Sequence, residues 1–275
     1  MSRTGGRQAL GRRLAAMALL LLPPLHARAA PWVQPEGEGI LILQTTPYTA
    51  GTRGFDTLGR ANGTGSFGRV ELASPYWEHG ITSRWTVGLQ PRLQAAWLTE
   101  NGRTSTNVGL ADASVFARYL VYKGRLDVFS VQATLASPGV DGAGTTPRIA
   151  EPNLGAEIRG LYGIGTALPW GMTGFATAEL AYRGRLGNAA DEARVDIGFG
   201  LRPVPHWLLM LQSFSNIGLR NNAPGGADYS VSKLQATAVY ELNPTWAVAL
   251  GYIRDIAGRR VPLGQGAVLA LWYRY

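Results

Sequence analysis

The chain has 275 residues, enough for one large domain, and its lack of cysteine excludes a disulfide framework and thiolate metal sites. Charged residues are sparse at 16% and glycine is frequent at 36 residues, neither of which is ordinary for a soluble enzyme. The formal charge of +8 invites a nucleic-acid reading, but the first 29 residues carry five arginines and no acid; without them +3 remains, with no basic helix and no clustered Lys/Arg interleaved with aromatics.

Those first residues form a pattern of their own. Arg3, Arg7, Arg12 and Arg13 precede an apolar run from Leu14 to Leu22, and Ala27-Arg28-Ala29 follows. The order predicts a secretory signal peptide over 1–29, cut after Ala29, and a single domain over 30–275. A membrane anchor is the rival, but the run is too short to span and Pro23-Pro24 breaks it. Arg12-Arg13 hints at twin-arginine export, although the residues around the pair fit that signal poorly. Later apolar runs, such as Trp207–Leu211, are only strand-sized.

Beyond that segment the periodicity is two. Weak alternation near Gly39–Thr46 and Arg69–Trp77 leads to the clearest stretch, in which Trp85, Val87, Leu89, Pro91, Leu93, Ala95 and Trp97 share one face. Thr86, Gly88, Gln90, Arg92, Gln94 and Ala96 share the other. The tryptophans stand about 40 Å apart along such a strand. Tilted, that is roughly 30 Å of height, the spacing of the aromatic girdles around a lipid-facing band. Strands of a soluble sandwich are much shorter. Ala113, Val115, Ala117, Tyr119 and Val121 next oppose Asp112, Ser114, Arg118 and Tyr122. A weaker candidate follows at Asp127–Ala136. Leu154, Ala156, Ile158, Tyr162 and Ile164 then oppose Glu157 and Arg159, and Ala176–Tyr182 oppose Thr177, Glu179 and Arg183. Val195–Leu201 oppose Arg194, Asp196 and Arg202, and a weak strand covers Leu208–Ile217. Leu234–Tyr240 oppose Lys233, Gln235 and Glu241, and Trp246–Tyr252 precede the last strand, Ala267–Tyr275.

The connections sort by length. Short turns are expected at Glu78–Thr82, Lys123–Arg125, Ala167–Gly171, Pro203–His206 and Asn243–Thr245. Longer Gly/Asn/Asp/Thr-rich segments are expected at Thr49–Gly65, Thr99–Asn107, Pro138–Pro152, Leu186–Glu192, Leu219–Asp228 and Gly258–Gly264. Strict alternation of long and short, beginning and ending on long, predicts an all-β, closed antiparallel transmembrane β-barrel of twelve strands in the bacterial outer membrane, with short turns and both termini on the periplasmic side. Membrane lipid is then one partner. The assembly machinery is a second, recognising the alternating, aromatic-ended strand "AVLALWYRY".

The stretches "EGEGILILQTT" (Glu36–Thr46), "ELASPYWEHGITSRWTVGLQPRLQ" (Glu71–Gln94) and "LADASVFARYLVYKG" (Leu110–Gly124) with "FSVQATLASPG" (Phe129–Gly139) resemble the XagA-like proteins. These sit near the outer-membrane proteins grouped as MetA-pathway (phenol degradation) transporters. The resemblance covers about the first half of the mature chain. It implies a transporter-like barrel and offers no catalytic signature to carry onto named positions.

Local motifs add little chemistry. Gly63, Gly65 and Gly68 match G-x-G-x-x-G, but a dinucleotide fingerprint follows a strand and opens a helix, and this one sits in a loop leading into a strand. Glycine there supplies freedom to turn. An outer-membrane hydrolase would need a histidine base beside a serine. The mature chain has only His79 and His206, both in short turns. Asp191-Glu192 could hold a divalent cation only weakly, a solvated loop being the plainer reading. No His/Asp/Glu cluster has metal-ligand spacing, no motif calls for a cofactor, and no catalytic residue is assigned.

The inward face is therefore the candidate site. Parity places Gln90, Arg92, Gln94, Asp112, Arg118, Glu157, Arg159, Glu179, Arg183, Arg194, Asp196, Lys233, Gln235 and Glu241 there, with Phe116, Leu120, Leu161 and Trp272 among them. Either opposite charges pair across neighbouring strands and fill the interior, or they line a narrow pore for a small-molecule solute, and the apolar members suit a packed interior or a path for aromatic or partly apolar molecules equally well. Burial forbids leaving many of them unpaired in either case.

Overall fold

The computed structural model describes residues 31–55, 61–63, 66–100, 102–142 and 147–275; the expected signal peptide lies outside them, as do parts of the first and third long connections. Thirteen strands follow in chain order. They are β1 (Gly39–Phe55), β2 (Ala61–Gly63), β3 (Ser66–Gly80), β4 (Trp85–Glu100), β5 (Arg103–Lys123), β6 (Asp127–Ser137) and β7 (Gly155–Ala167). Then come β8 (Thr173–Arg185), β9 (Glu192–Arg202), β10 (Trp207–Gly218), β11 (Ser230–Glu241), β12 (Trp246–Arg259) and β13 (Val261–Arg274). β2 pairs only with the far end of β1. The other twelve are antiparallel staves in sequential order, and β13 pairs with β1 from Ile40↔Arg274 to Phe55↔Val261, closing the sheet. Closure leaves no unpaired edge among the twelve staves, which a wall in lipid could not tolerate.

Alternation decides which side chains meet lipid. Leu89, Val115, Leu135, Ile158, Leu180, Phe199, Leu211, Leu250 and Leu269 all point outward and are each more than 40% exposed. A continuous apolar exterior of that extent belongs in a membrane rather than in water. At the end carrying the short turns, rings pack into a belt. Trp85 lies 4.8 Å from Tyr119, Trp207 5.0 Å from Tyr240 and Trp246 4.7 Å from Tyr273, centroid to centroid, and Tyr273 stacks on Tyr275.

Two expectations need correction. Tyr122 faces outward, not inward, because a bulge between Leu120 and Tyr122 inserts Val121 into the pairing with β6. Val121 and Tyr122 are both exposed while Leu120 stays buried. An inserted residue inverts parity beyond it, and nothing in the local composition marks the place. Second, some of the expected long loops are strand. β4 and β5 run on to the pair Glu100↔Arg103, and β12 and β13 are joined through Arg260 alone, in a left-handed conformation (φ 56°). The G-x-G-x-x-G segment leads into strand β3, not a helix.

Candidate functional site: a charged vestibule above a closed floor

Apart from Tyr122, the inward residues named from the sequence lie on the inner face of the wall, where most of the charges are paired. Across β4 and β5, Arg92 Nε and Nη2 donate to the two Asp112 oxygens, both at 2.6 Å. On β7–β9, Arg159 holds Glu157, Glu179 and Asp196 at 2.8, 2.7 and 2.5 Å. Arg194 bridges Glu157 (3.1 Å) and Glu192 (2.8 Å). Opposite-sign residues on adjacent strands produce this ladder because cross-strand neighbours on one face sit side by side. Lys233 reaches Asp255 across β11 and β12 at 3.2 Å and lies over the Tyr48 ring, whose hydroxyl also donates to Asp255. Glu241 is shared by Arg202 and Arg274 at 2.9 and 3.1 Å. Gln90 donates to Ser74, Gln235 to Thr237, and Gln94 is buried.

The two halves of the lumen differ. Toward the short-turn end it is dry: Ile40, Leu208, Val239, Ala247, Ala249 and Trp272 form a buried apolar cluster on one side, with Phe175 and Met210 packed against it. Farther along, inward side chains keep contact with solvent. Arg92 is 37% exposed although it points into the barrel, and Gln212, Phe214 and Asn216 are only half-buried. In a barrel packed along its whole length these would be as buried as Leu208. Other inward residues of that half, among them Tyr48, Gln94, Asn107, Glu192 and Asp255, are buried, so the interior is a charged vestibule that solvent reaches only in part, above an apolar floor.

Part of that floor is not wall. Residues Pro31–Gln34, ahead of β1, pass inside the short-turn end. Ser130 Oγ donates to the Pro31 carbonyl (2.6 Å), Arg118 Nη1 to the Trp32 carbonyl (3.1 Å), and the Gln34 amide to Thr86 Oγ1 (2.8 Å). The Gln34 side chain donates to Glu78, and the Trp32 ring meets Phe175 edge-on at 5.8 Å. Gly163 makes room: a Cβ there would stand 2.4 Å from Pro31 Cγ. Anchoring this segment is the Arg118–Glu78 ion pair (3.2 Å), 3% and 0% exposed, with Gln132 and Tyr76 taking the remaining guanidinium bonds. Arg118 was identifiable by parity; Glu78 was read as a turn residue and Gln34 was not singled out. Neither had a signal of its own: Glu78 is a polar residue near the end of β3 and Gln34 a polar residue ahead of β1.

The weaker leads fall elsewhere. His79 lies between the Trp77 and Tyr275 rings and bonds the Tyr275 hydroxyl (3.3 Å), while His206 Nδ1 meets the Glu241 carbonyl (3.1 Å), so neither bond goes to a serine. Asp191 and Glu192 do not act together on a cation. Asp191 accepts bonds from the Arg185 amide, Tyr182 and Asn221, whereas Glu192 turns inward to Arg185 and Arg194.

No family model and no curated protein matches the sequence, so the XagA-like resemblance gains no support from either. Solved structures do match. An outer-membrane channel from Pseudomonas putida F1 superposes with TM-score 0.62 at 12% identity over 93% of this chain and 100% of its own. The transport unit of the autotransporter AIDA-I from Escherichia coli superposes with TM-score 0.50 at 10% identity over 96% of this chain and 97% of its own. The shared feature is the outer-membrane barrel fold. A channel and an autotransporter unit on one wall show that function has to be argued from the interior.

Proposed function

We propose that the protein is an outer-membrane conduit for small polar or charged molecules, closed at rest by its own Pro31–Gln34 segment. The observation that carries this is the chain segment itself: Pro31–Gln34 lies inside the short-turn end as part of a packed floor, beneath a charged half that solvent reaches only in part. A wall strand could leave the floor only by breaking its ladder, at the cost of buried backbone groups in lipid. The segment is held by a handful of side-chain bonds, so it is the part that can move. The paired charges narrow the passage and exclude apolar solutes of similar size. Phenolic solutes, which the family resemblance implies, would enter as their polar or ionised forms. The fold shared with the P. putida channel is compatible with this reading and does not specify the solute.

The test is single-channel recording in planar bilayers with liposome swelling beside it. The native protein should conduct rarely and at low amplitude, and Gly163→Leu, which evicts Pro31, should conduct continuously and admit small sugars or amino acids. If both are silent, the packed floor is the resting and only state, and the barrel is a structural or surface-interaction protein.

A further inference from the structure

Among the described residues, the ion-pair ladder has one unbalanced member. Arg92, Arg118, Arg159, Arg185, Arg194, Arg202, Lys233 and Arg274 each have a carboxylate partner. Arg183, on the inward face of β8, has neither an ion pair nor a hydrogen bond among the described residues, and its Nε is fully buried without a partner. The residue is only 8% exposed. Its isolation is not for want of acids nearby. The register sets Arg183 directly across from Glu157 on β7 and from Glu192 on β9. Glu157 is taken by Arg159 and Arg194, and Glu192 by Arg185 and Arg194. Gly155 gives the guanidinium its place: a Cβ there would stand 2.6 Å from Arg183 Nε and 2.9 Å from Nη2, so the group lies flat over bare backbone.

An unpaired, largely desolvated guanidinium is costly to keep unless something completes it. Its planar fork is matched by a carboxylate, which can accept two parallel N–H bonds at once. We propose that Arg183 is the recognition group of an anion subsite in the vestibule, taking the carboxylate of a small organic acid. The surrounding charges are engaged with one another, Arg159 with three carboxylates, and leave Arg183 as the guanidinium free to take the solute. This assignment rests on the conduit reading for its physiological meaning, but binding at the site does not require conduction.

The experiment separates the two. Equilibrium dialysis of radiolabelled benzoate against the detergent-solubilised full-length protein measures binding without current. The native protein should bind, Arg183→Lys, which keeps the charge without the fork, should bind more weakly, and Arg183→Gln roughly tenfold more weakly than native or worse, as expected for loss of a hydrogen bond to a charged group. Arg183→Gln should also keep the heat-modifiable gel mobility of a folded barrel, since it removes no partnered contact. Equal benzoate binding by native and Arg183→Gln proteins, or none by the native protein at millimolar concentration, overturns the subsite. In bilayers under a potassium chloride gradient, the Gly163→Leu protein should favour chloride and Gly163→Leu/Arg183→Gln should lose that preference. Benzoate binding without current in any variant keeps the subsite and overturns only the conduit.

Discussion

Arg118 is the side chain on which the floor of the barrel depends. It and Glu78 are removed from water together, and the pair survives because Gln132, Tyr76 and the Trp32 carbonyl satisfy what the carboxylate does not. Replacing one member strands the other. Arg118→Met should therefore cost about 3–5 kcal/mol, read as a lowered urea midpoint in detergent, and adding Glu78→Met should recover much of it. Asp191, in the β8–β9 connection, gives a residue-scale pH dependence. Chiefly the Arg185 amide, then Tyr182 and Asn221, hold its carboxyl below the ordinary carboxylate range. A folded-state pKa lowered in this way stabilises fully above the unfolded value of about 4 and is lost as pH falls through the lowered one. Hydrogen exchange at the Arg185 amide should consequently be protected at neutral pH and lose protection only in acid below that value. Asp191→Asn should lose it at every pH.

At the scale of elements, the Pro31–Gln34 segment is the one whose behaviour is least fixed by the barrel. It crosses the inner faces of β3 through β8 without joining any ladder there, so its position depends on side chains and on the space Gly163 leaves. Gly163→Leu should expose it to proteolysis and shift Trp32 fluorescence to the red, while heat-modifiable mobility persists because the ladders of β6, β7 and β8 are untouched. Resistance to protease in that variant would mean that the segment repacks rather than leaves. The bulge in β5 belongs to this scale as well. It turns Tyr122 to the outer side of the wall, beside its register partner Phe129 on β6.

For the whole molecule, the apolar exterior makes a quantitative demand. Leu180, midway along β8 and 65% exposed, should tolerate any aliphatic residue. Leu180→Arg should destabilise the inserted barrel by about 2–4 kcal/mol, measured by folding into lipid vesicles, as a cation at bilayer mid-depth does. The same substitution at inward Gln212, which is half-buried, should cost far less, because that face of the wall does not meet lipid.

Closure was legible in the sequence because period-two alternation and sorted connection lengths are one-dimensional signals of a two-sided wall. The inward faces of β4, β7, β8 and β9 were legible for the same reason: once a strand has one apolar face, parity assigns every side chain in it. Parity stopped being informative at the β5 bulge, where Tyr122 changed sides, and in the segment before β1, which has no alternation to read. Nor could it say which charges pair. Glu157 and Glu192 flank Arg183 in register, yet both turn to other arginines, a choice made by side-chain reach across three strands at once. The sequence by itself determined that a barrel forms and which way its strands face. Only the tertiary structure decided where the interior is dry, what blocks it and which cation is left over, because those follow from distances between residues far apart in the chain.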